Sequence, residues 1–222
     1  MNFRRLIKIA ESVSISIKRI TILDMNMGKK IEDNDYRKYR WFYTSSGKLV
    51  VGGKSDRQNE LVLKNFLKDN YKALHTREPG SGFMIIQSSR PSKKDVLEAA
   101  IFCGCFSKQW KKLRRNGKIS VDVFPGEGIY KNKLMKVGTF GVRGKRENIL
   151  VDPKLVLVFQ KGVLRGIPDS DKINKKDIIA EIKPGRMSKE RVVEYVLDKI
   201  RDKKVSKDEI SSAIPSGKMS VG

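Results

Sequence analysis

Residues 39–53 have the sequence YRWFYTSSGKLVVGG, in which two runs of aromatic and β-branched residues flank a short polar segment. Residues of these types favour strands, and Ser45-Ser46-Gly47-Lys48 between the runs is typical of a turn. The pattern predicts a β-hairpin whose second strand ends at Gly52-Gly53. We expect the core of the chain to begin with this hairpin.

A helix is predicted directly after the hairpin, in SDRQNELVLKNFLKD at 55–69, where Ser55 or Asp56 can cap the first turn. Its apolar residues share one face at helical spacing: Val62, Leu63, Phe66 and Leu67. FMIIQ at 83–87 follows, and a short apolar run of this kind predicts a buried strand.

The longest predicted element is a helix from Ser92 to about Arg115, with Ser92 as the cap and Asp95 in the first turn. Gly117 is its predicted end. Its apolar positions recur at i, i+3 and i+4: Val96, Ala100, Cys103, Phe106 or Ser107, Trp110 and Leu113. Its last turn is basic, through Lys111, Lys112, Arg114 and Arg115. Cations stabilise a helix C-terminus, but four of them also suit an anion-binding surface.

Strands dominate the next part of the chain, at 119–124, at 137–151 and in a hairpin over 155–167 that turns at Lys161-Gly162. Beyond Pro168 the sequence becomes charged and helical, with Ser188 as a cap. The fold class is α+β, with a mixed, mainly antiparallel sheet, a long packed helix and a C-terminal helical extension. The predicted division is an N-terminal extension at 1–35, a central domain at 36–168 and a basic helical extension at 169–222.

Charge is the strongest feature of the composition, since 48 Lys and Arg face 25 Asp and Glu, for a net charge of +23. Such an excess repels itself in a compact state and favours an anionic partner. Nucleic acid fits best, because each neutralised phosphate releases counterions. No apolar stretch approaches the ~20 residues of a membrane span, so no membrane partner is expected.

The two cysteines, Cys103 and Cys105, lie within the long predicted helix, and His75 is the single histidine. These are too few nitrogen and sulfur ligands for a zinc site, so no metal and no cofactor are expected. Two cysteines also do not make a disulfide framework. We expect both thiols to pack as small apolar groups in a reducing compartment, the cytoplasm.

Catalytic signatures are weak. Neither a G-x-S-x-G elbow nor a phosphate-binding G-x-x-x-x-G-K-[ST] loop is present, and turn geometry is the simpler reason for the glycines of GGKSD at 52–56. An enzyme would have to use His75 and Ser81 near Glu60, so the chain is expected to be a binding protein.

Basic and aromatic residues alternate in two segments, Tyr130 to Lys133 and Phe140 to Arg146. Cationic grooves with stacking platforms are how proteins hold single-stranded or loop RNA. Arg143 and Arg146 can bind phosphates through two hydrogen bonds each, and Gly144 between them allows the backbone to approach an anion.

Four blocks of the chain resemble the RNA-binding domain of the NFACT family, NFACT-R. WFYTSSGKLVVGG followed by RQNEL is similar to its opening, LHTREPGS to its next motif, EAAIFCGCFSKQW to its long helix and GTFGVRGKRENI to the archaeal and eukaryotic form of its closing motif. The resemblance covers roughly residues 40–150. The chain departs from the family at Tyr71 and Ala73, where acidic and aromatic residues are usual, and at Gly82, where a second histidine often occurs.

The resemblance implies a stand-alone, archaeal-like NFACT-R protein that binds tRNA or ribosomal RNA, with the large ribosomal subunit as a partner in ribosome-associated quality control or translation. RNA modification or processing through His75, Ser81 and Glu60, as enzyme or accessory subunit, is the alternative, and general binding of DNA or other polyanions is a third. The predicted RNA-binding residues are Arg57, Gln58, Asn59, His75, Arg77, Ser81, Lys111, Lys112, Arg114, Arg115, Lys131, Lys133, Arg143, Lys145 and Arg146.

Overall fold

The predicted hairpin at 39–53 is confirmed in the computed structural model, which describes residues 35–113, 117–200 and 204–222. β1 (Arg40–Tyr43) pairs antiparallel with β2 (Leu49–Gly52), and Trp41 lies opposite Val51. Gly47 has a φ of +82°, a conformation that a residue with a Cβ rarely adopts, which explains the glycine in the turn. The N-terminal extension predicted at 1–35 lies outside the described residues except for Asp35.

The described part of the chain has four α-helices and twelve strands. The helices are α1 (Asp56–Phe66), α2 (Lys93–Cys105), α3 (Lys189–Lys199) and α4 (Lys207–Ala213). The remaining strands are β3 (Lys72–Thr76), β4 (Met84–Ile86), β5 (Ile119–Pro125), β6 (Ile129–Tyr130), β7 (Gly141–Val142), β8 (Glu147–Val151), β9 (Leu155–Gln160), β10 (Val163–Ile167), β11 (Ala180–Met187) and β12 (Met219–Val221). This composition confirms the predicted α+β class.

A six-stranded sheet in the order β1-β2-β4-β3-β5-β8 organises the first part of the chain, and its neighbouring strands are antiparallel. Side chains alternate between its faces along each strand. Leu74, opposite Val123, belongs to the face that packs on α2, whereas His75, opposite Asp122, belongs to the other face. α1 packs against β2 and β4.

A second sheet, in the order β10-β9-β11-β12, follows in the chain and shares a core with the first. Its hairpin is the one predicted over 155–167: Lys161 and Gly162 have φ angles of 53° and 77°, as a tight two-residue turn requires. Apolar residues of β9, such as Leu155 and Leu157, join the cluster that contains Ala99 and Cys103 of α2. Residues 39–222 form one compact unit.

The long helix is shorter than predicted. Ser92 does cap it, and Asp95 bonds back to the Ser92 N–H as a capping box, but α2 ends at Cys105. Ser107 donates its hydroxyl to the Gly104 carbonyl at 2.8 Å and accepts from the Gln109 N–H, and it thereby caps a separate 3-10 turn, Lys108–Lys112. Local side-chain bonds to the backbone compete in this way with helix continuation.

Two further predictions, the strand at 137–151 and the helical segment beyond Pro168, need correction. The strand predicted at 137–151 is divided into β7 and β8, because Gly144 between them has a φ of +81°. The helical segment beyond Pro168 does contain α3, capped by Ser188, and α4, but it also supplies β11 and β12. The domain division at residue 168 stays a prediction. Within the described ranges, no helix is both long and apolar enough to cross a membrane.

Candidate nucleic-acid interface

A buried carboxylate organises the polar face of the six-stranded sheet at its β5–β8 edge. Asp122 is 3% exposed and lies opposite Asn148 on β8. It accepts hydrogen bonds from Asn148 Nδ2 at 2.7 Å and from Arg77 at 3.1 Å, and Arg146 Nη1 lies 3.5 Å from its second oxygen. Asp122 therefore fixes two guanidinium groups that come from distant parts of the chain.

Arg77 and Arg146 stay accessible although Asp122 holds them. Their side chains are 51% and 59% exposed, whereas that of Asp122 is 4% exposed. An Arg carries five N–H donors, so one carboxylate contact leaves others for a ligand. The pair of arginines thus presents net positive charge at the sheet surface, and the structure brings these two predicted RNA-binding residues together.

His75 lies beside this group, on the neighbouring strand and directly opposite Asp122. Its Nδ1–H donates to the Thr76 carbonyl at 2.7 Å, and its ring packs on Phe83 with 4.9 Å between centroids. Burial lowers the pKa of His75, against the opposing effects of its backbone hydrogen bonds and of Asp122. The imidazole is therefore neutral at pH 7, with Nε2 as a hydrogen-bond acceptor rather than a source of charge.

An aromatic row continues from His75 toward the 126–146 segment. Phe83 meets Phe140 edge to face at 5.7 Å, and the ammonium group of Lys131 lies 4.9 Å from the Phe140 centroid. Phe83 is buried, and Phe140 and His75 are half-buried. Partly exposed rings in such a row offer stacking area for a base.

Lys131 is held in place by three hydrogen bonds of its ammonium group. Its Nζ donates to Glu60 Oε1 at 2.5 Å, to the Lys136 carbonyl at 2.7 Å and to the Thr139 carbonyl at 3.1 Å. Glu60 also accepts from the Gly138 N–H at 3.0 Å. We call Glu60, Lys131 and these three backbone groups the loop clamp, because they tie the 126–146 segment to α1. The role predicted for Lys131 in binding RNA stays a prediction.

Arg143 and Lys145 are exposed cations of this segment. The Arg143 guanidinium lies 4.2 Å from the centroid of Tyr130, and its backbone N–H donates to the Gly128 carbonyl at 2.8 Å. Lys145 and Lys133 are exposed. These basic residues follow the two short strands β6 and β7, which pair with each other.

The Arg57-Gln58-Asn59 motif contains one residue that faces solvent and one that supports the backbone. Arg57 is exposed, but Asn59 is buried, and its Oδ1 accepts from the Phe83 N–H at 3.3 Å. A Cβ on Gly53 would lie 2.2 Å from Asn59 Oδ1, so the glycine is needed for this close approach. Gln58 accepts from the Lys54 N–H at 3.0 Å. Asn59 therefore holds the backbone at Phe83, whereas Arg57 stays exposed.

The residues of the alternative catalytic prediction, His75, Ser81 and Glu60, make hydrogen bonds that support the fold. Ser81 Oγ accepts from the Thr76 N–H at 3.0 Å, while Glu60 belongs to the loop clamp. The clamp lowers the Glu60 pKa, mainly through the Lys131 hydrogen bond. The Ser81 hydroxyl and the Glu60 carboxylate thus each have other hydrogen-bond partners in the structure. Over residues 35–113, 117–200 and 204–222, no three His, Cys, Asp or Glu residues are grouped as metal ligands.

Both cysteines are buried and free, which confirms that they pack as small apolar groups. Burial raises the pKa of Cys103 to about 12, and burial also raises the pKa of Cys105. Trp110 is buried as well, and its indole N–H donates to the Lys218 carbonyl at 3.1 Å. Lys111 and Lys112 beside it are exposed. Arg114 and Arg115, predicted with them, lie outside the described residues.

Sequence reasoning missed Asp122, Asn148 and Phe83 as parts of this surface. Asp122 has a detectable signal, because a carboxylate in the apolar run ISVDVF has to face away from the core or find cationic partners. Asn148 and Phe83 carry no local signal. Their roles follow from strand register and packing.

Residues 38–144 match the family described as NFACT protein RNA binding domain. The chain is 27% identical over 115 residues to the "Ribosome quality control complex subunit NEMF homolog" of Drosophila melanogaster, covering 50% of this chain and 12% of that protein. It is 26% identical over 208 residues to the "Archaeal Rqc2 homolog aRqcH" of Methanocaldococcus jannaschii, covering 87% of this chain and 30% of that protein. The chain thus spans less than a third of these relatives.

Proposed function

This chain carries an NFACT-R domain at residues 38–144, and from that premise we propose that it binds tRNA or the RNA of the large ribosomal subunit in ribosome quality control. The observation that carries the proposal is the convergence of Arg77 and Arg146 on buried Asp122, next to the His75–Phe83–Phe140 row. We call these six residues, together with Lys133, Arg143 and Lys145, the sheet surface.

The sheet surface combines the two contacts that RNA loops and single strands use. Its arginines can bind phosphate oxygens, with Asp122 holding two of them in place, so that less side-chain entropy is lost on binding. The half-buried rings can stack on bases. Nε2 of neutral His75 can accept a hydrogen bond from a ribose 2′-hydroxyl, a group that DNA lacks.

The role in ribosome quality control is carried over from relatives such as the Drosophila melanogaster homolog of a ribosome quality control complex subunit. We propose the cytoplasm as the location. The net charge of +23 supports an RNA partner of high phosphate density. In competition at equal phosphate concentration, we expect tRNA to displace a bound RNA probe more strongly than duplex DNA does. Equal displacement would favour general binding of polyanions.

The role of the sheet surface is tested by replacing its exposed cations Arg143 and Lys145. We expect Arg143→Gln with Lys145→Gln to weaken RNA binding at least tenfold and to reduce the slope of log K against log salt by about 1.4, since each single-strand phosphate contact contributes roughly 0.7. Filter binding of a labelled tRNA over a salt series measures both quantities. Arg146 is left intact because it contacts Asp122.

The matched control is Lys175→Gln with Lys176→Gln, which removes the same charge from two exposed residues between β10 and β11. This variant should bind nearly as wild type does. If both double variants lose equal affinity, net charge explains binding and the sheet surface does not. An unchanged slope for the Arg143 and Lys145 variant would place the RNA elsewhere.

A further inference from the structure

Exposed apolar side chains are concentrated in the 126–146 segment. Three of the six large apolar residues that are exposed in the described part of the chain lie there: Leu134 at 95%, Val137 at 57% and Val142 at 38%. Single exposed apolar residues are common on protein surfaces, but Leu134 is almost wholly in water. We call residues 132–137 the loop tip. Its leucine adds nothing to the core and is available to a partner.

The loop tip is held in shape by hydrogen bonds rather than by apolar packing. Asn132 Oδ1 accepts from the N–H groups of Leu134 at 3.0 Å and Met135 at 3.1 Å. This pattern is an Asx turn, in which a side chain replaces a backbone acceptor. The loop clamp fixes the other end of the tip, because Lys131 Nζ donates to the Lys136 carbonyl at 2.7 Å. Leu134 is therefore presented to solvent on an ordered turn.

Cations flank the exposed leucine on both sides. Lys133 and Lys136 are exposed, and within the described residues neither makes an ion pair with Asp or Glu. The 126–146 segment contains six Lys or Arg residues and a single carboxylate, Glu127. A second copy of this chain would bring like charges together at the tip. Nucleic acid fits better, because it combines phosphates with the apolar faces of its bases.

The loop tip adjoins the sheet surface through Lys131. Besides its bond to the Lys136 carbonyl, the Lys131 ammonium group lies 4.9 Å from the centroid of Phe140, a ring of the sheet surface. Phe140 contacts Phe83, which packs on His75. An RNA strand that stacks on this aromatic row therefore has the loop tip beside it.

We propose that the loop tip is an apolar wedge that packs Leu134 against an unpaired base of the bound RNA. Lys133 and Lys136 contact the phosphates on either side of that nucleotide. The wedge rests on the proposed function and specifies its substrate, an RNA loop or bulge rather than a continuous duplex. Unpaired bases can be splayed out and contacted on their faces, whereas the bases of an A-form helix are stacked on each other. Apolar side chains insert between bases in a similar way in proteins that kink DNA.

The wedge predicts a loss of affinity that does not depend on salt. We expect Leu134→Ser to weaken binding of an RNA hairpin with a single-stranded loop by about fivefold, because less apolar surface leaves water on binding. The slope of log K against log salt should stay as in wild type, since Leu134 neutralises no phosphate. Filter binding over a salt series measures both quantities. The Tm should also stay the same, because Leu134 lies outside the core.

Two controls distinguish a wedge from a general effect on binding. A continuous RNA duplex with the same number of phosphates has no unpaired base, so wild type and Leu134→Ser should bind it equally well. Leu97→Ser removes another exposed leucine, from α2, which covers the opposite face of the six-stranded sheet. This variant should bind the hairpin as wild type does.

Contact with the base is measured directly with Leu134→Trp. Trp41 and Trp110 are both buried, so the introduced indole is the ring that RNA can reach. Its fluorescence should be quenched by the hairpin, because a base stacks on it, and much less by the duplex.

The outcomes separate the wedge from the proposed function. Hairpin affinity that is equal in Leu134→Ser and wild type overturns the wedge, as does an equal loss on the duplex or in Leu97→Ser. The proposed function survives these results if the Arg143 and Lys145 variant still weakens binding and lowers the salt slope. Absence of wild-type binding to both RNAs overturns the proposed function, and the wedge with it.

Discussion

Asp95 shows how one side chain connects a turn to a helix. Its Oδ1 accepts from the hydroxyls of Thr44 and Ser46, both at 2.6 Å, and its Oδ2 accepts from the Ser92 N–H at 2.8 Å and hydroxyl at 2.7 Å. Burial opposes ionisation of Asp95, but these hydrogen bonds outweigh it and lower the pKa to about 2. The charged form therefore stabilises both the β1–β2 turn and the start of α2.

We expect Asp95→Asn to lower the free energy of unfolding by about 2 kcal/mol at neutral pH, the value that corresponds to this pKa shift. Because the folded-state pKa is below the unfolded one, the contribution is present above about pH 4 and is lost as the pH falls toward 2. The difference in free energy of unfolding between wild type and variant should therefore decrease as the pH falls from about 4 toward 2. Urea unfolding at several pH values measures it, with exposed Asp177→Asn as control. A difference in free energy of unfolding that does not depend on pH would contradict a stabilising role for the charged form of Asp95.

At the level of elements, the 126–146 segment is held more by a few polar contacts than by apolar packing. β6 and β7 have two residues each, and Leu134 between them is 95% exposed. The loop clamp joins the segment to α1 through Glu60, and the Arg143 N–H joins its two ends. Segments with few buried contacts open locally without global unfolding.

Removal of the clamp by Glu60→Ala should release this segment. We expect trypsin to cut severalfold faster at Lys133 and Lys136, with little change in Tm, because a partly exposed pair contributes little to global stability. Mass spectrometry of the first cleavage products checks the sites. Glu194→Ala, an exposed change in α3, should leave the cleavage rate unchanged. Unaltered cutting in Glu60→Ala would mean that other contacts hold the loop.

The whole molecule is stabilised by a core to which both sheets contribute. Fully buried Leu155, Leu164 and Ile182 of the second sheet belong to the same cluster as residues of α2. The family match ends at residue 144, before the second sheet begins. Thus the apolar face of the segment that matches the family is covered in part by residues beyond that segment.

A chain that ends at Lys154 should therefore lose cooperative thermal unfolding, since its exposed apolar face has no substitute for the second sheet. Differential scanning calorimetry and binding of a hydrophobic dye measure the loss. The tRNA affinity of this shortened chain is expected to fall with it. A sharp transition at the wild-type temperature would show that the first sheet folds without the second.

Much of the local structure was predictable from the sequence. The turn at Gly47, the cap at Ser92 and the turn at Lys161-Gly162 were all found where the sequence predicts them. The family blocks likewise predicted the domain now matched at 38–144. These features depend on residues only a few positions apart, so their physical cause is visible in a linear sequence.

The composition of the candidate nucleic-acid interface was decided by tertiary structure. Asp122 gathers Arg77 and Arg146, which come from distant parts of the chain, through strand register. The end of α2 at Cys105 similarly reflects competition from Ser107. A sequence determines charge, caps and periodicity, but the distance between two cations depends on how the whole chain buries its apolar surface. That distance decides whether they repel in isolation or together bind an anion.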